Sequence, residues 1–408
     1  MNIPDTRAAG AVSTARVSLQ TPWWAIANVL FAGVAAALHV GKASIALPQL
    51  QHEFGRSLAS LSWVMSAFPL VGVVGGIAAG VLVQRWGDRR LLGLGLVVIA
   101  AASAAGSLVH DYAWLIGSRF VEGLGFLIVV VAAPAVLNRV ARPGTHNVVF
   151  GIWSTFMAIG MSVSLLAGPL LGGWRSNWLV SAALSLLAAV LLPLTVPRAQ
   201  LLRRAPSSQG MLNALRDLLR SAPSVLLALA FATYTLQFTA LTTFLPIFLI
   251  QRMGMTVGSA GTLSAAIVAV NIVGNVSAGQ LLSRGMRPAV LLAGASLAMG
   301  LAGAGVFQSA LPGGVAILLC FAFSAIGGML PAAILTCTPL ASPAPALTPL
   351  GLGLVMQGNY FGQVLGPIVV SVVVASMGWS AAALPVLVAA VLGAVLGGFV
   401  KLERSARR

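Results

Sequence analysis

Charged side chains are scarce in this sequence of 408 residues. Asp, Glu, Lys and Arg make up 7% of the chain, and seven residues are acidic, whereas a soluble domain normally carries about 25% charged residues. This scarcity excludes a water-soluble globular protein, because so few charges could not cover its surface. Apolar runs of more than about 18 residues recur, which is the length that crosses a hydrocarbon core of ~30 Å. The sequence therefore predicts an all-α membrane protein.

Metal-binding and catalytic patterns are also lacking. The two cysteines, Cys320 and Cys337, belong to no CxxC or Cys/His pattern, so we expect no metal and no cofactor. The apolar runs contain no HExxH, paired-carboxylate or Ser/His/Asp set, and the chain has no Walker A pattern. We therefore expect neither an enzyme nor an ATP-driven pump. A passive channel is disfavoured as well, since there is no repeated filter sequence or ring of charges.

The positive charge of the chain is concentrated in the connectors between the apolar runs. The formal net charge is +16 and the pI about 11.8, values that would indicate nucleic-acid binding in a soluble protein. Here the arginines are concentrated in short connectors between apolar runs, so we expect no nucleic-acid partner. The first apolar run is too long for a signal peptide and is predicted to remain as a membrane span.

Hydropathy divides the chain into twelve predicted spans, six on each side of a polar stretch. They cover residues 23–48, 61–83, 91–109, 112–138, 148–171, 177–196, 224–250, 258–282, 289–309, 314–338, 351–377 and 380–400. Asp111 and Gly378 mark the breaks in two apolar stretches that are too long for a single crossing.

The basic residues of the connectors predict the orientation. With an even number of spans, only Arg56, Arg175 and Arg252 lie on the side opposite to the termini. Because Lys and Arg accumulate in cytoplasmic loops, we expect both termini to be cytoplasmic, in a bacterial-type inner membrane.

Five segments follow from this division. They are a cytoplasmic tail at 1–22, a six-helix bundle at 23–196, a basic cytoplasmic linker at 197–223, a second six-helix bundle at 224–400 and a tail at 401–408. The linker sequence is compatible with a short amphipathic helix at 211–220 on the membrane face and equally with a flexible connection.

The two halves carry an internal repeat. Pro48 recurs as Pro246, 198 residues on, and Phe54-Gly55 recurs as Met253-Gly254, 199 residues on. GVLVQR at 80–85 recurs as GQLLSR at 279–284, and Gly-Pro at 168–169 recurs at 366–367. Four matches at nearly the same offset indicate a duplicated bundle.

These motifs resemble those of the major facilitator superfamily. GVLVQRWGDRRLL at 80–92 is similar to the family's inner-loop signature, RFVEGLG at 119–125 to a fourth-span signature, and GPLLGG at 168–173 to a Gly-Pro motif. The resemblance implies two pseudo-symmetric six-helix bundles that transport a solute by alternating access. It assigns gating to Gly80, Gln84, Arg85, Gly87, Arg89 and Arg90, although Gln84 replaces the family's Asp, which weakens or remakes one gate contact. Apart from the resemblance, a Gly-Pro pair permits a span to bend next to a cavity, so we expect helix bending at Gly168, Pro169, Gly366 and Pro367. The stretches 41–50 and 155–161 are similar to cyanate and nitroimidazole porters.

Four ionisable residues fall well inside the predicted spans. His39 and Lys42 share one face of the first span, and Arg119 and Glu122 share one face of the fourth at a similar depth. A charge at mid-bilayer costs on the order of 3 kcal/mol, so each charge needs a partner or a wet cavity. The set carries one surplus positive charge.

The sequence allows several roles for these four residues. Our hypothesis is that Lys42 and Arg119 bind an anionic substrate while Glu122 or His39 binds a co-transported proton. The alternatives are that Lys42 extends to the lipid headgroups, that Arg119 and Glu122 form a structural ion pair, and that His39 makes a hydrogen bond between helices.

Weaker substrate-binding candidates are neutral polar side chains on other apolar faces. Each could line a cavity or only bond between helices at ~0.6 kcal/mol per contact. They are Tyr234, Gln237, Asn271, Gln357 and Tyr360.

The leading functional prediction is a secondary transporter of a small, anionic solute. We expect it to be proton-coupled and monomeric, with the solute, the proton and the lipid bilayer as its partners. The alternative is a proton-coupled multidrug efflux antiporter, for which Glu122 would be the carboxylate and Lys42 and Arg119 would repel cations.

Overall fold

The structure is a computed structural model that describes residues 22–142, 145–198, 208–344 and 347–402. Within these ranges the chain forms helices and no β-strand. Eleven helical segments are long and apolar enough to cross a membrane, and Phe156–Leu171 is a shorter apolar one. The predicted all-α fold of twelve spans is therefore confirmed.

Seven helices build the first six spans. Their bounds are α1 Trp23–Phe54, α2 Leu58–Trp86, α3 Asp88–Ser107, α4 Tyr112–Val140, α5 His146–Trp153, α6 Phe156–Ala167 and α7 Trp174–Thr195. The fifth span consists of α5 and α6 and ends in a 3-10 turn at Gly168–Leu171.

Helix α8, Ser208–Arg220, lies in the linker, so the helical alternative for 211–220 is confirmed there. The later spans are built from α9 Ala222–Thr242, α10 Leu245–Met253, α11 Val257–Ala269, α12 Asn271–Ser283, α13 Pro288–Val306, α14 Gly313–Gly327, α15 Met329–Ala341, α16 Thr348–Met377 and α17 Ala383–Gly398. The predicted tails lie outside the described residues except at 22 and 401–402.

Several predicted boundaries differ from the observed ones. The first span was predicted to end at Pro48, yet α1 continues to Phe54 with Pro48 inside it. Four spans are each interrupted once, between α5 and α6, α9 and α10, α11 and α12, and α14 and α15. At Val270, for example, Val273 N–H bonds to the carbonyl three residues back at 3.0 Å, which locally replaces the α-helical pattern. Hydropathy is blind to such interruptions because the side chains stay apolar.

The connection after the first span has a counterpart in the second half. Gly55 (φ 59°) ends α1 and Gly254 (φ 65°) ends α10, both in the left-handed region that favours glycine. Two residues later Ser57 and Thr256 each cap the next helix, accepting a bond from a backbone N–H at 3.2 Å. The repeat seen in the sequence is therefore also a repeat of backbone geometry.

The two sets of spans meet through a few helices. Helix α2 packs along α16, and α6 packs on α11. Tyr360 of α16 lies against Gly72 of α2, and the Ser66 hydroxyl donates to the Val364 carbonyl at 2.9 Å. On α6 and α11, Leu165 packs with Ala265 and Val268. The α6–α11 contact lies toward the end of the molecule that carries the connections after spans 1, 3, 5, 7, 9 and 11, which we call the odd-connection end.

Candidate functional site

The four ionisable residues predicted inside the spans meet in one cluster. Helix α1 presents His39 and Lys42 one turn apart, and α4 presents Arg119 and Glu122 with the same spacing, so each pair shares a face. The two faces are turned toward each other between α3 and α7. His39, Lys42 and Glu122 are 0% exposed and Arg119 is 1% exposed. We call this set the buried charge cluster.

Glu122 is the centre of the cluster. Its Oε2 lies 2.5 Å from Arg119 Nη1 and 3.0 Å from Lys42 Nζ. Its Oε1 lies 3.1 Å from the same ammonium. One carboxylate thus contacts two cations, both through charge-assisted hydrogen bonds. The cluster retains one positive charge in excess if Lys42 is protonated and His39 is neutral.

The Lys42 ammonium finds an acceptor for each of its three hydrogens. Besides Glu122, it lies 2.6 Å from Ser103 Oγ and 2.9 Å from His39 Nδ1. Ser103 uses its own hydrogen to donate to the Trp178 carbonyl at 2.8 Å, which leaves its lone pairs for Lys42. The Trp178 ring also lies 4.4 Å from Nζ, at cation–π distance.

Arg119 is held by a carbonyl and by aromatic rings. Its Nε donates to the Val64 carbonyl of α2 at 2.9 Å. The guanidinium lies 4.4 Å from the Phe68 ring centre and 6.0 Å from that of Trp178. These contacts supply partners that water would otherwise provide.

His39 connects the cluster to α7. Its Nε2 lies 3.0 Å from Ser185 Oγ, and its Nδ1 lies 3.2 Å from Glu122 Oε2 as well as close to Lys42. If Nδ1 accepts from the ammonium, the ring hydrogen is on Nε2 and is donated to Ser185.

These contacts decide between some of the alternatives left open by the sequence. Lys42 is fully buried, so its proposed extension to the headgroups is wrong. Arg119 and Glu122 do form an ion pair, and His39 does bond to another helix. Because all three hydrogens of Lys42 already have acceptors, a solute that bonds to Lys42 must first displace one of them. The substrate-binding roles of these two residues stay predictions.

The neutral candidates lie apart from this cluster. Tyr234 and Gln237 are buried on α9, where the Tyr234 ring packs 5.7 Å from Phe238. Gln237 Nε2 has long bonds to Ser296 Oγ at 3.3 Å and to the Thr233 carbonyl at 3.4 Å.

Asn271 donates to the Ser324 carbonyl at 3.1 Å and accepts from Asn275 at 2.9 Å, which joins α12 to α14. On α16, Tyr360 is 2% exposed against α2, and half-buried Gln357 lies beside Gly76. The structure thus brings Tyr234 and Asn271 into side-chain hydrogen-bond contact, places Gln357 and Tyr360 together on the face of α16 that packs on α2, and leaves Gln237 between α9 and α13.

Part of the inner-loop signature is visible at the junction of α2 and α3. Gly87 has φ 87°, and Asp88 accepts two bonds from Arg139 of α4, at 2.7 and 3.0 Å. Arg89 donates to the Val196 carbonyl at 2.6 Å, and Arg90 is exposed. The side chains of Gly80, Gln84 and Arg85, all within α2, lie outside the described part of the structure. The gating roles remain predictions.

The two Gly-Pro pairs occupy different settings. Gly168 and Pro169 begin the 3-10 turn that ends the fifth span. Gly366 and Pro367 lie inside the uninterrupted helix α16, where a Cβ on Gly366 would come 2.1 Å from Thr239 Oγ1. Their predicted role in bending stays a prediction.

Sequence reasoning missed the neutral members of the cluster. Ser103 contacts Lys42, Ser185 contacts His39, and Trp178 contacts both Lys42 and Arg119. A lone serine in an apolar run carries no signal of its own. The seven-residue spacing of Trp178 and Ser185, which places them on one face of α7, was the available clue.

Comparison with known proteins agrees with this architecture. The sequence profile of the Major Facilitator Superfamily matches residues 29–348. The puromycin resistance protein of Streptomyces alboniger is 31% identical over 172 residues, which cover 41% of this chain and 34% of that protein. The tetracenomycin C resistance and export protein of Streptomyces glaucescens is 31% identical over 196 residues, covering 46% of this chain and 35% of that protein. The chain thus aligns with about a third of the length of these curated relatives.

A solved D-xylose–proton symporter has the same fold, with a TM-score of 0.77 and 15% identity over 95% of this chain and 100% of that one. The profile match and the shared fold make this a transporter, not an enzyme. The chain belongs to the Major Facilitator Superfamily.

Proposed function

We propose that this transporter is a proton-coupled exporter of drug-sized solutes and that the buried charge cluster is its proton-binding site. The observation that carries the proposal is the enclosure of the cluster. Three ionisable side chains surround the Glu122 carboxylate, and none of the four groups is more than 1% exposed. A structural role alone does not require a lysine and a histidine there, since an apolar core is often at least as stable as a buried ion pair.

The enclosure favours a proton over a larger ligand. Every charged group in the cluster already has protein hydrogen-bond partners, and the three hydrogens of Lys42 all have acceptors. A proton can be added or removed by shifting hydrogens along existing bonds, for instance between Lys42 Nζ and His39 Nδ1 at 2.9 Å. Chains of such residues within spans are typical proton relays of pumps and transporters.

The export direction and the class of solute come from the relatives. Two proteins that are 31% identical over the aligned region carry resistance or export in their names. Among the described residues, the second half of the chain contains no buried charged side chain comparable to the cluster. We therefore give preference to the efflux alternative over the porter of small anions.

The anionic solute remains the second candidate, and one observation favours it. Two cations share a single carboxylate, so an anion would compensate the surplus positive charge. It would have to take over the partners of Glu122 in another state of the transport cycle.

Orientation and localisation are part of the proposal. The distribution of connector arginines supports cytoplasmic termini in a bacterial inner membrane. With that orientation, the odd-connection end faces outward, and the α6–α11 contact closes the outer side. We propose a monomer as the working unit.

Efflux by an expressing strain tests the proposal. A hypersensitive bacterium expresses the wild-type chain, Glu122→Gln, or Glu53→Gln as a control, because Glu53 is an exposed carboxylate paired with Arg175 at the odd-connection end. We expect the wild type and the control to raise tolerance to puromycin and to expel ethidium until a protonophore is added, and Glu122→Gln to do neither. Efflux that is insensitive to the protonophore, or that persists in Glu122→Gln, would contradict the proposal. Uptake of a small carboxylate with no effect on either drug would favour the second candidate.

A further inference from the structure

Within the buried charge cluster, we infer that Lys42 is the group that gains and loses the transported proton, with Glu122 as its fixed counter-ion and His39 as the relay. This inference rests on the proposed function, which names the cluster but not the titrating atom. It departs from the sequence hypothesis, in which Glu122 or His39 binds the proton and Lys42 binds the solute.

The choice of lysine at this position is the first support. Lysine and arginine together number 23 in this chain, and only two of them, Lys42 and Lys401, are lysine. A guanidinium keeps its proton in proteins, whereas an amine can release it. Of the two cations that contact Glu122, Lys42 is therefore the one whose charge can change.

The charge balance is the second support. Protonating Glu122 would leave two buried cations without a counter-ion, which is the costly outcome of breaking a buried pair. Releasing a proton from Lys42 instead leaves one carboxylate and one guanidinium 2.5 Å apart. The cluster then alternates between a net charge of one and a neutral state, and neither state contains an unpaired carboxylate.

The hydrogen-bond geometry accommodates both states. In the charged state the three N–H bonds of Lys42 point to Ser103, Glu122 and His39 Nδ1. On release, the N–H bond directed at His39 breaks and an Nδ1–H bond forms, which makes His39 an imidazolium and Lys42 a neutral amine. The new Nδ1–H can donate to Glu122 Oε2 at 3.2 Å.

The proton leaves from the opposite side of the ring. His39 Nε2 faces Ser185 Oγ at 3.0 Å, and the imidazolium gives its Nε2 proton to a water molecule that reaches Ser185 in another state of the cycle. One proton has then left the cluster as hydronium, and His39 is neutral again with its hydrogen on Nδ1. Uptake follows the reverse order.

The surroundings of Lys42 contain no other described group that could take this role. Helix α1 contributes His39, and α4 contributes Arg119 and Glu122. Helices α3 and α7 contribute Ser103 and Trp178, whose side chains do not ionise near neutral pH.

Separating exchange from proton-driven transport tests the inference. Purified wild type, Lys42→Met, Lys42→Arg and the control Lys401→Met are reconstituted in liposomes, and ethidium is followed under an imposed pH gradient and in exchange without a gradient. We expect the wild type and Lys401→Met to accumulate ethidium when a pH gradient is imposed. Both Lys42 variants should lose gradient-driven accumulation by on the order of 100-fold while keeping exchange, because neither methionine nor arginine can release a proton here.

The outcomes separate this inference from the proposed function. If the wild type shows no gradient-driven accumulation, the proposed function fails. If the wild type and either Lys42 variant both show gradient-driven accumulation, Lys42 is not the group that carries the proton. The proposed function of the cluster as the proton-binding site is then unaffected.

A second measurement does not depend on the folding of a Lys42 variant. In Lys401→Arg protein labelled with ¹⁵N-lysine and placed in lipid nanodiscs, Lys42 gives the only lysine side-chain signal. We expect that signal to change from ammonium to amine over the pH range in which proton-driven transport changes. An ammonium signal that persists throughout that range would overturn the inference.

Discussion

The two halves of the molecule share a frame but differ in charge. Gly55 and Gly254 end equivalent helices in the same left-handed conformation, and Ser57 and Thr256 cap the helices that follow with bonds of equal length. The position 198 residues after His39 is Gln237, so a neutral amide takes the place of an ionisable ring. Duplication has kept the helix ends, while the chemistry has diverged.

The contacts of Gln237 show what the second half has instead of a cluster. Its amide nitrogen bonds to Ser296 at 3.3 Å, and its amide oxygen has no partner among the described residues. Ser296 in turn bonds to the Ala390 carbonyl at 3.2 Å. This weakly bonded polar site joins α9, α13 and α17, much as the buried charge cluster joins α1, α3, α4 and α7. The difference indicates that stability does not require charge at this place in the bundle.

Glycine contacts belong to the shared frame. A Cβ on Gly123 of α4 would come 1.9 Å from the Phe68 carbonyl of α2, and one on Gly328 would come 2.0 Å from the Asn271 carbonyl of α12. In both halves the fourth span therefore approaches the second span through a glycine. Close approach through small residues stabilises helix pairs in lipid, where burial of apolar surface gives little drive.

Among the variants that test this difference between the halves, Glu122→Gln is expected to lose the most stability. It leaves Lys42 and Arg119 without a counter-ion in the interior, and removal of one partner from a buried pair costs about 3–5 kcal/mol. Thermal unfolding in detergent should show a marked loss of stability. The control Glu53→Gln removes a partly exposed ion pair and should cost about 1 kcal/mol or less. Equal losses in the two variants would mean that the cluster is no more than another ion pair.

Alanine substitutions at Gly123 and Gly328 test whether both halves depend on close helix approach at a glycine. Gly123→Ala and Gly328→Ala both force a helix away from a neighbouring backbone, and overpacking of this kind costs about 1–3 kcal/mol. Gly117→Ala on the same helix as Gly123 meets no atom within 4 Å and serves as the control. Loss of stability in one half but not in the other, measured by thermal unfolding, would break the comparison.

A smaller effect is expected from Asp88→Asn. This substitution weakens the two bonds to Arg139, whose side chain is 28% exposed, so about 1 kcal/mol of stability should be lost. Transport under a pH gradient should persist, because the pair joins the start of α3 to the last turn of α4 and does not touch the cluster. Complete loss of coupling in this variant would extend the proton chemistry beyond the cluster.

The smallest effect is expected from Gln237→Leu. Ser296 keeps its bond to Ala390, and replacing a poorly bonded buried amide with an apolar group is nearly neutral, within about 0.5 kcal/mol. His39→Leu, at the equivalent position of the first half, should lose proton coupling. If gradient-driven ethidium transport is lost in Gln237→Leu and retained in His39→Leu, the functional assignment of the halves is reversed.

Much of the frame was predictable from the sequence, and the reason is chemical. Spans need long apolar runs, and the break at Asp111 was visible because its carboxylate caps α4, accepting from Ala113 N–H at 2.8 Å. The interruption at Val270 was not visible, since it changes the backbone without changing hydropathy. The extension of α1 past Pro48 was missed because a proline in a membrane helix need not end it.

The candidate site was predictable only in its charged part. The spacing of His39 with Lys42 and of Arg119 with Glu122 placed each pair on a helix face, and similar depth placed the pairs together. Ser103 and Ser185 could not be found, because a serine in an apolar run is common and only the packing of α3 and α7 brings it to a charge. Whether a buried charge faces a cavity or protein atoms is likewise decided by tertiary packing.

The central claim is that proton coupling depends on the buried charge cluster of the first half. Proton movement that depends on the solute, measured in proteoliposomes, is its most direct test. Wild type, Gln237→Leu, Glu53→Gln and Glu122→Gln are reconstituted with a pH-sensitive dye in the lumen, and ethidium is added outside. We predict a proton signal that depends on ethidium in the first three proteins and none in Glu122→Gln. An undiminished signal in Glu122→Gln, with Gln237→Leu silent, would contradict this assignment.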